Sequence, residues 1–307
     1  MIIFEAVPQA ESWCQSVRAR GLSLGMVPTM GALHDGHLQL VSRSIKENDR
    51  TCVSVFVNPL QFNDPADLER YPRDFESDTR SLEELGCSMA FTGTPDEFFG
   101  KSFAQGDQQE LLLEPGPIAE GLEGTERPGH FAGVATVVDR LFQIASPTRA
   151  YFGRKDFQQC MVVQDLARSR GGPEIVLCPT VREASGLAMS SRNLRLSPVE
   201  RARALSLSQA LRAARQCWDA GERGPGRLAD ALQRVLSAQP EIEVEYAEIR
   251  DPEAWSVQRP THELERAVAL LAVRVGPVRL IDNLRLDDPS DPMPAETTAP
   301  ASVEQPS

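Results

Sequence analysis

Cys52-Val-Ser-Val-Phe-Val57 is apolar at nearly every residue rather than at every second one. A strand of that kind has to be covered on both faces, which is the condition of a parallel sheet sandwiched between helices. Leu22–Val27, Ser88–Thr92, Arg149–Phe152 and Glu174–Cys178 repeat the pattern as short strand-like runs. Helical periodicity separates them: one helix opens near Gly36, and others cover Asp74–Leu85, Phe131–Ile144 and Phe157–Ala167. Strands alternating with helices predict a doubly wound α/β domain over 1–185.

After about residue 185 the pattern changes. Ser197-Pro-Val-Glu200 has the form of a capping box with proline at the first helical position, and the helix it starts runs to Gly221. A second helix is predicted over Gly226–Ala238, then strands at Ile242–Ile249, Arg266–Val275 and Val278–Leu284, the last two joined at Gly276-Pro277. This predicts a small α+β C-terminal domain over 186–286. Residues 287–307 are rich in Pro, Ser, Thr, Ala and acids without periodicity, and are expected to form a disordered tail.

Composition narrows the function. With 32 Lys and Arg against 44 Asp and Glu, the net charge is −12. That argues against a binder of duplex nucleic acid, which needs a cationic face to displace counterions. No apolar run approaches the roughly 20 residues needed to cross a bilayer, and Met1–Glu5 lacks the basic and apolar regions of a signal peptide. Six scattered cysteines with no C-x-x-C predict reduced thiols in a cytoplasmic protein, with neither disulfides nor a zinc site.

Five motifs fall at predicted strand ends or helix starts of the first domain. Val27-Pro-Thr-Met-Gly-Ala-Leu-His-Asp-Gly-His37 is a strand, a glycine-containing turn and a helix start. A helix N-terminus offers partial positive charge and N–H groups to an anion. His34 and His37, three residues apart, can face one side of the first turn and stabilise charge on a phosphoryl group in transfer. Asn58 and Gln61 follow the strand Cys52–Val57, at the end of the sheet that lines a ligand crevice. Arg127 and His130 lie on a Gly/Pro-rich loop before a helix, and Glu120–Glu126 just upstream has the look of a mobile flap. In Gly153-Arg-Lys-Asp-Phe-Gln-Gln159, Lys155 offers a point charge, Asp156 a cap or ribose ligand, and Gln159 faces the same way one turn on. Met189-Ser-Ser-Arg-Asn193 supplies two hydroxyls and a guanidinium at the domain junction. Gly93–Ser102 imitates a phosphate-binding P-loop, but six residues separate its glycines instead of four and Pro95, Phe98 and Phe99 crowd it, so it is rejected.

Taken together the motifs closely resemble the pantothenate synthetase (pantoate–β-alanine ligase) family. That family belongs to the HIGH-motif nucleotidyltransferases, which include class I aminoacyl-tRNA synthetases. The family pattern P-T-M-G-x-L-H-x-G-H stands at Pro28–His37, F-V-N-P-x-Q-F at Phe56–Phe62 and Y-P-R at Tyr71–Arg73. R-P-x-H-F, G-x-K-D-[FY]-Q-Q, G-L-A-x-S-S-R-N and R-L-[IL]-D-N stand at 127–131, 153–159, 186–193 and 279–283.

The resemblance implies a Rossmann-like domain with a C-terminal lid, and the ATP-dependent condensation of pantoate with β-alanine through a pantoyl adenylate, usually with Mg²⁺. It implies catalytic roles for His37, as proton donor, and for His34, Lys155 and Arg192. ATP would be bound by Met30, Gly31, Ala32, Leu33, His34, Asp35, Gly36 and His37, by Gly153, Arg154, Lys155 and Asp156, and by Val181, Met189, Ser190, Ser191 and Arg192. Gln61 and Gln159 would hold pantoate or β-alanine, with Arg127 and His130 on the flap side, and Asp78 is the candidate metal ligand. A homodimer is expected on the same ground. Three positions depart from the family pattern: Arg154 is often Glu, Ser185 commonly Asp, and Arg195 commonly Tyr. Other readings are a related nucleotidyltransferase acting on a different acid, and a nucleotide-sensing module without turnover.

Overall fold

The computed structural model describes residues 1–100, 103, 111–291 and 293. Six parallel strands form the first sheet in the order β1-β4-β3-β2-β5-β6: β1 (Ile2–Phe4), β2 (Leu24–Thr29), β3 (Arg50–Val55), β4 (Met89–Phe91), β5 (Arg149–Gly153) and β6 (Glu174–Cys178). The continuous apolar character of these strands has a direct structural reason. Met26, Cys52, Met89 and Ala150 enter one core with helices α1 (Val7–Ala19), α4 (His130–Ala145) and α5 (Phe157–Arg170). Their chain neighbours Val27, Val53, Ala90 and Tyr151 enter a second core on the other face, with α2 (Asp35–Glu47) and α3 (Phe75–Glu84). Successive residues of a strand point to opposite faces, so both faces must be apolar.

The chain winds outward from β2 through β3 to β4 and then returns to place β5 on the other side of β2. The direction of winding therefore reverses between β2 and β5, and the crevice at their carboxyl ends is where such sheets bind ligands. Strand order also explains how Pro28 fits within β2. The Phe56 N–H donates to the Thr29 carbonyl, so that carbonyl faces β3, leaving Pro28 facing β5, whose pairing with β2 ends at Met26.

The C-terminal unit is a three-stranded antiparallel sheet, β7 (Ile242–Arg250), β8 (Val268–Val275) and β9 (Val278–Arg285), covered by α6 (Pro198–Asp219) and α7 (Pro225–Ser237). Ser197 and Glu200 close the expected capping box on α6, and the β8–β9 turn is Gly276-Pro277, with Gly276 at φ +56. This unit clasps the first through the R-L-I-D-N segment of β9. Asp282 makes a bidentate, buried pair with Arg182 at 2.6 and 3.0 Å. Asn283 Nδ2 donates to the carbonyls of Arg154 and Lys155 at 2.9 and 2.8 Å.

One element was not foreseen, and two expectations need correction. The strand β1 forms the sheet edge beside β4, although so short a segment carries no strand signal of its own. Residues 287–291 are folded rather than part of a free tail: Asp287 pairs with Arg285, Asp288 and Asp291 with Arg154, and Asp291 is buried. Met293 also packs on the C-terminal core, and the remainder of the tail lies outside the described residues. The segment expected to be a mobile flap is tied down. Glu123 is buried and bonded to Arg279 and Tyr246, while Gln158 Nε2 donates to the carbonyls of Ile118, Glu120 and Gly121. In the rejected P-loop, Thr94 caps the short helix Pro95–Phe99, whereas Lys101 and Ser102 lie outside the described residues.

Removing one member of a buried ion pair strands the other charge in a poorly solvated place. Asp282→Ala is expected to lower unfolding free energy by about 3–5 kcal/mol, read as a reduced denaturant midpoint. An unchanged midpoint would mean that the pair does not clasp the two units.

Candidate active site

The crevice at the β2/β5 reversal holds a cavity of about 220 Å³. Met30, His34, Gly36, His37, Gln61, Arg127, His130, Gly153, Lys155, Asp156, Gln159, Val181, Met189, Ser190, Ser191 and Arg192 all line it, so the structure brings all five motifs to one place. A second chamber of about 180 Å³ shares Arg127, Lys155, Asp156, Ser190 and Arg192 with the first and opens toward the β8–β9 hairpin. A larger, shallower groove between α6 and α7 lies away from the strand ends and holds none of the motif residues.

The β2–α2 turn is built in a way the sequence did not disclose. Asp78 on α3 is buried, and its carboxylate accepts from the N–H groups of Ala32 and Leu33 at 3.0 and 2.8 Å. Gly31 N–H donates to Thr29 Oγ1 at 3.3 Å. Gly31 is required here because its φ is +82 and a Cβ would press on Asp78 Oδ2. These N–H groups are therefore consumed by the protein, and Gly31, Ala32 and Leu33 do not line the cavity. Asp35, also expected in the nucleotide strip, is exposed at the first position of α2. The expectation that Asp78 is the metal ligand is likewise corrected: its oxygens hold the turn, and it lies outside the cavity lining.

The two histidines cap α2 reciprocally. Gly36 N–H donates to His34 Nδ1 at 3.1 Å, and His34 N–H donates to His37 Nδ1 at 3.4 Å. With each Nδ1 accepting, the ring proton of either neutral imidazole sits on Nε2. Burial and the nearby positive charge of Lys155 lower the pKa of His34. Burial, the other imidazole and Lys155 push His37 down to about 3. The rings lie 4.1 Å apart between centroids. At neutral pH the site thus presents two uncharged N–H donors, with the cationic charge supplied beside them by Lys155.

The wall around Asn58 and Gln61 is a chain of fixed amides. Asn58 accepts from Leu60 N–H through Oδ1 and donates through Nδ2 to the Gly133 carbonyl and to Gln61 Oε1, at 3.2, 3.1 and 2.9 Å. That bond orients the Gln61 amide, so its Nε2–H₂ points to the Met30 sulfur at 3.1 Å, on the cavity wall. Helix α4 approaches this turn so closely that a Cβ on Gly133 would overlap the Leu60 carbonyl. His130 Nδ1–H donates to the Gln61 carbonyl at 2.8 Å while its Nε2 accepts from Arg127 Nη1 at 3.1 Å, which defines a neutral tautomer.

Arg192, on the loop after β6, is engaged. Its Nη2 donates to Asp67 at 2.8 Å, its guanidinium lies 6.0 Å from the Tyr71 ring centre, and Arg195 takes the other Asp67 oxygen at 2.8 Å. Sequence reasoning misses Asp67 because its partners lie 125 and 128 residues further along the chain. Arg154, expected to bind the nucleotide, does not line the cavity and turns to Asp288 and Asp291 instead. Among the described residues no group of three or more His, Cys, Asp or Glu can hold a metal ion, and no helix is long and apolar enough to cross a membrane.

Burial and the neighbouring Arg127 charge push His130 down to about 3, far below an unfolded histidine. The unfolded state then binds more protons between that value and about 6.5. Stability from this residue is complete above about pH 6.5 and is lost as pH falls toward 3, with a limiting slope of about 1.4 kcal/mol per pH unit. His130→Asn is expected to flatten the acid limb of the stability–pH curve by up to one proton. An acid limb as steep as before would place the titration elsewhere.

Comparison with known proteins agrees with the geometry. The family model described as pantoate-beta-alanine ligase matches residues 2–285. The chain is 49% identical over 274 residues to a pantothenate synthetase of Rubrobacter xylanophilus, covering 88% of this chain and 93% of the relative. Its structure is similar to the crystal structure of pantothenate synthetase from Thermus thermophilus, at TM-score 0.83 and 41% identity, covering 93% and 99% of the two chains. It is also similar to a pantoate-beta-alanine ligase from Francisella tularensis complexed with beta-gamma ATP and beta-alanine, at TM-score 0.74 and 33% identity, covering 94% and 98%. The chain belongs to the pantoate–β-alanine ligase family.

Proposed function

We propose that this chain condenses (R)-pantoate with β-alanine in an ATP-dependent ligation, through a pantoyl adenylate, releasing AMP and pyrophosphate. The observation that carries the reading is one cavity lined by His34, His37, Lys155 and Arg192 together with Gln61 and Gln159. Cations and N–H donors for a triphosphate thus meet amides suited to a hydroxy acid.

In the first step a pantoate carboxylate oxygen attacks the α-phosphorus of ATP. The bond from that phosphorus to the bridging oxygen breaks, and pyrophosphate leaves with the electron pair. Charge accumulates on the bridging and non-bridging oxygens, where pre-set donors act without reorganising. The Nε2–H groups of His34 and His37 are such donors, and a triphosphate would raise their pKa and let His37 pass a proton to the leaving group. Lys155 supplies a compact charge and Arg192, once exchanged from Asp67 to phosphate, a planar one. Gln61 Nε2, held in direction by Asn58, is suited to a pantoate oxygen, and Gln159 lines the same cavity. Ser190, Ser191, Met189, Val181 and Gly153 complete the nucleotide wall.

In the second step the free amine of β-alanine attacks the acyl carbon, the C–O bond to AMP breaks, and the amine gives up a proton. An acyl adenylate hydrolyses readily, which favours a closed cavity. The segment at Glu123 and the C-terminal unit, with 186–286 as its proposed extent, are suited to serve as the cover.

Magnesium usually binds through one or two carboxylates and substrate phosphates rather than a protein cage. Asp156 fits that requirement as a cavity-lining carboxylate that makes no side-chain cap on α5. When bound, Mg²⁺ would neutralise phosphate charge; Asp156 would hold it there. A cytoplasmic homodimer, formed through the first domain, belongs to the same proposal.

The direct test is pantoate-dependent exchange of pyrophosphate into ATP without β-alanine, followed by AMP release once β-alanine is added. Exchange is expected only with pantoate, and His37→Ala should lower it by roughly a hundredfold or more while the protein stays folded. Absence of exchange in folded protein that binds ATP, or near-normal exchange by His37→Ala, would overturn the corresponding part of the reading.

A further inference from the structure

Arg154 stands beside Lys155 where the family pattern often has Glu, and its side chain is largely buried, at 13% exposure. Its Nη1 donates to Asp288 Oδ2 at 2.8 Å, and its Nη2 lies 3.5 Å from Asp291 Oδ1. Both aspartates follow the family-matched region, which ends at residue 285. Their placement is fixed independently of Arg154. Ser290 bonds Asp288 Oδ1 through both its N–H and its hydroxyl, Arg215 Nη1 donates to the Asp288 carbonyl, and the Asp291 N–H donates to the same carbonyl. The Arg154 guanidinium and the Ser290 bonds hold the Asp288 carboxyl at about 2, so it is an anion throughout the working range.

A glutamate at 154 would face two acids, so the arginine and the aspartates make sense only as a set. On its other side, the backbone of 154 is held by Asn283 and by the Cys178 carbonyl. The guanidinium is thus the third attachment of the loop that carries Lys155 and Asp156 into the cavity. We propose that Asp288 and Asp291, acting through Arg154, latch the Gly153–Asp156 loop in its nucleotide-receiving position, making Arg154 a positioning residue. The inference rests on the reading above that this loop receives ATP.

Three full-length variants test it: Arg154→Gln, the double variant Asp288→Asn/Asp291→Asn, and their combination. Each is expected to raise the KM for ATP in the exchange reaction by roughly three- to tenfold, with kcat and the KM for pantoate within about twofold. Hydrogen exchange of the amides at 153–157 should accelerate. Because all act through one interaction, the combined variant should be no worse than either parent. An unchanged ATP KM with unchanged amide exchange would overturn the latch. So would additive effects, or a fall in kcat and thermal midpoint with both KM values raised alike. Lys155→Ala separates the two levels: if it raises the ATP KM and the latch variants do not, the latch fails and the nucleotide reading stands. If it too leaves ATP binding unchanged, the nucleotide reading has failed.

Discussion

The buried carboxylate of Asp78 holds the turn from which the histidine-bearing wall of the cavity is built. A charged group taken from water needs replacement donors, and the N–H groups of Ala32 and Leu33 provide them. Burial raises the Asp78 pKa and those two bonds oppose the rise. The result fixes α3 to the start of α2, so the cap of α2 is built from a turn that cannot drift. The backbone N–H groups of Gly36 and His34 then hold the Nδ1 atoms of His34 and His37, and both residues line the cavity.

The same economy of uncharged groups runs through the other wall. Asn58, Gln61 and His130 are buried, and each has its proton positions set by a named partner. Protonating His130 would put an N–H where it now accepts from Arg127, against a fixed positive charge. Positive charge in the cavity is confined to Lys155, Arg127 and Arg192, and two of these are partly held by protein acids: Arg127 by Glu123 and Arg192 by Asp67. A chain of net charge −12 thereby keeps a small cluster of cations in one cavity.

Much of this was legible in the chain. The unalternating run at Cys52–Val57 required a doubly covered sheet, and Met26 beside Val27 and Ala150 beside Tyr151 serve its two cores. Motif residues at strand ends converge because the winding reverses between β2 and β5, a consequence of strand order that periodicity only implies. What escaped was long-range pairing. Nothing near Asp78 signals that its partners are Ala32 and Leu33, and nothing near Arg154 signals Asp288. The charges at Asp288 and Asp291 looked like solvated tail chemistry because a composition argument cannot see an arginine 134 residues away.

The role assigned to the histidines in the first step starts from a ligand-free site in which both imidazoles are neutral and carry their protons on Nε2. Imidazole ¹⁵N chemical shifts of the ligand-free protein, followed from pH 8 to pH 5, report both the tautomer and the charge. His37 is expected to show the Nε2–H tautomer throughout and not to titrate in that range. A His37 that takes up a proton near pH 6.5, or that carries its neutral proton on Nδ1, would contradict this assignment.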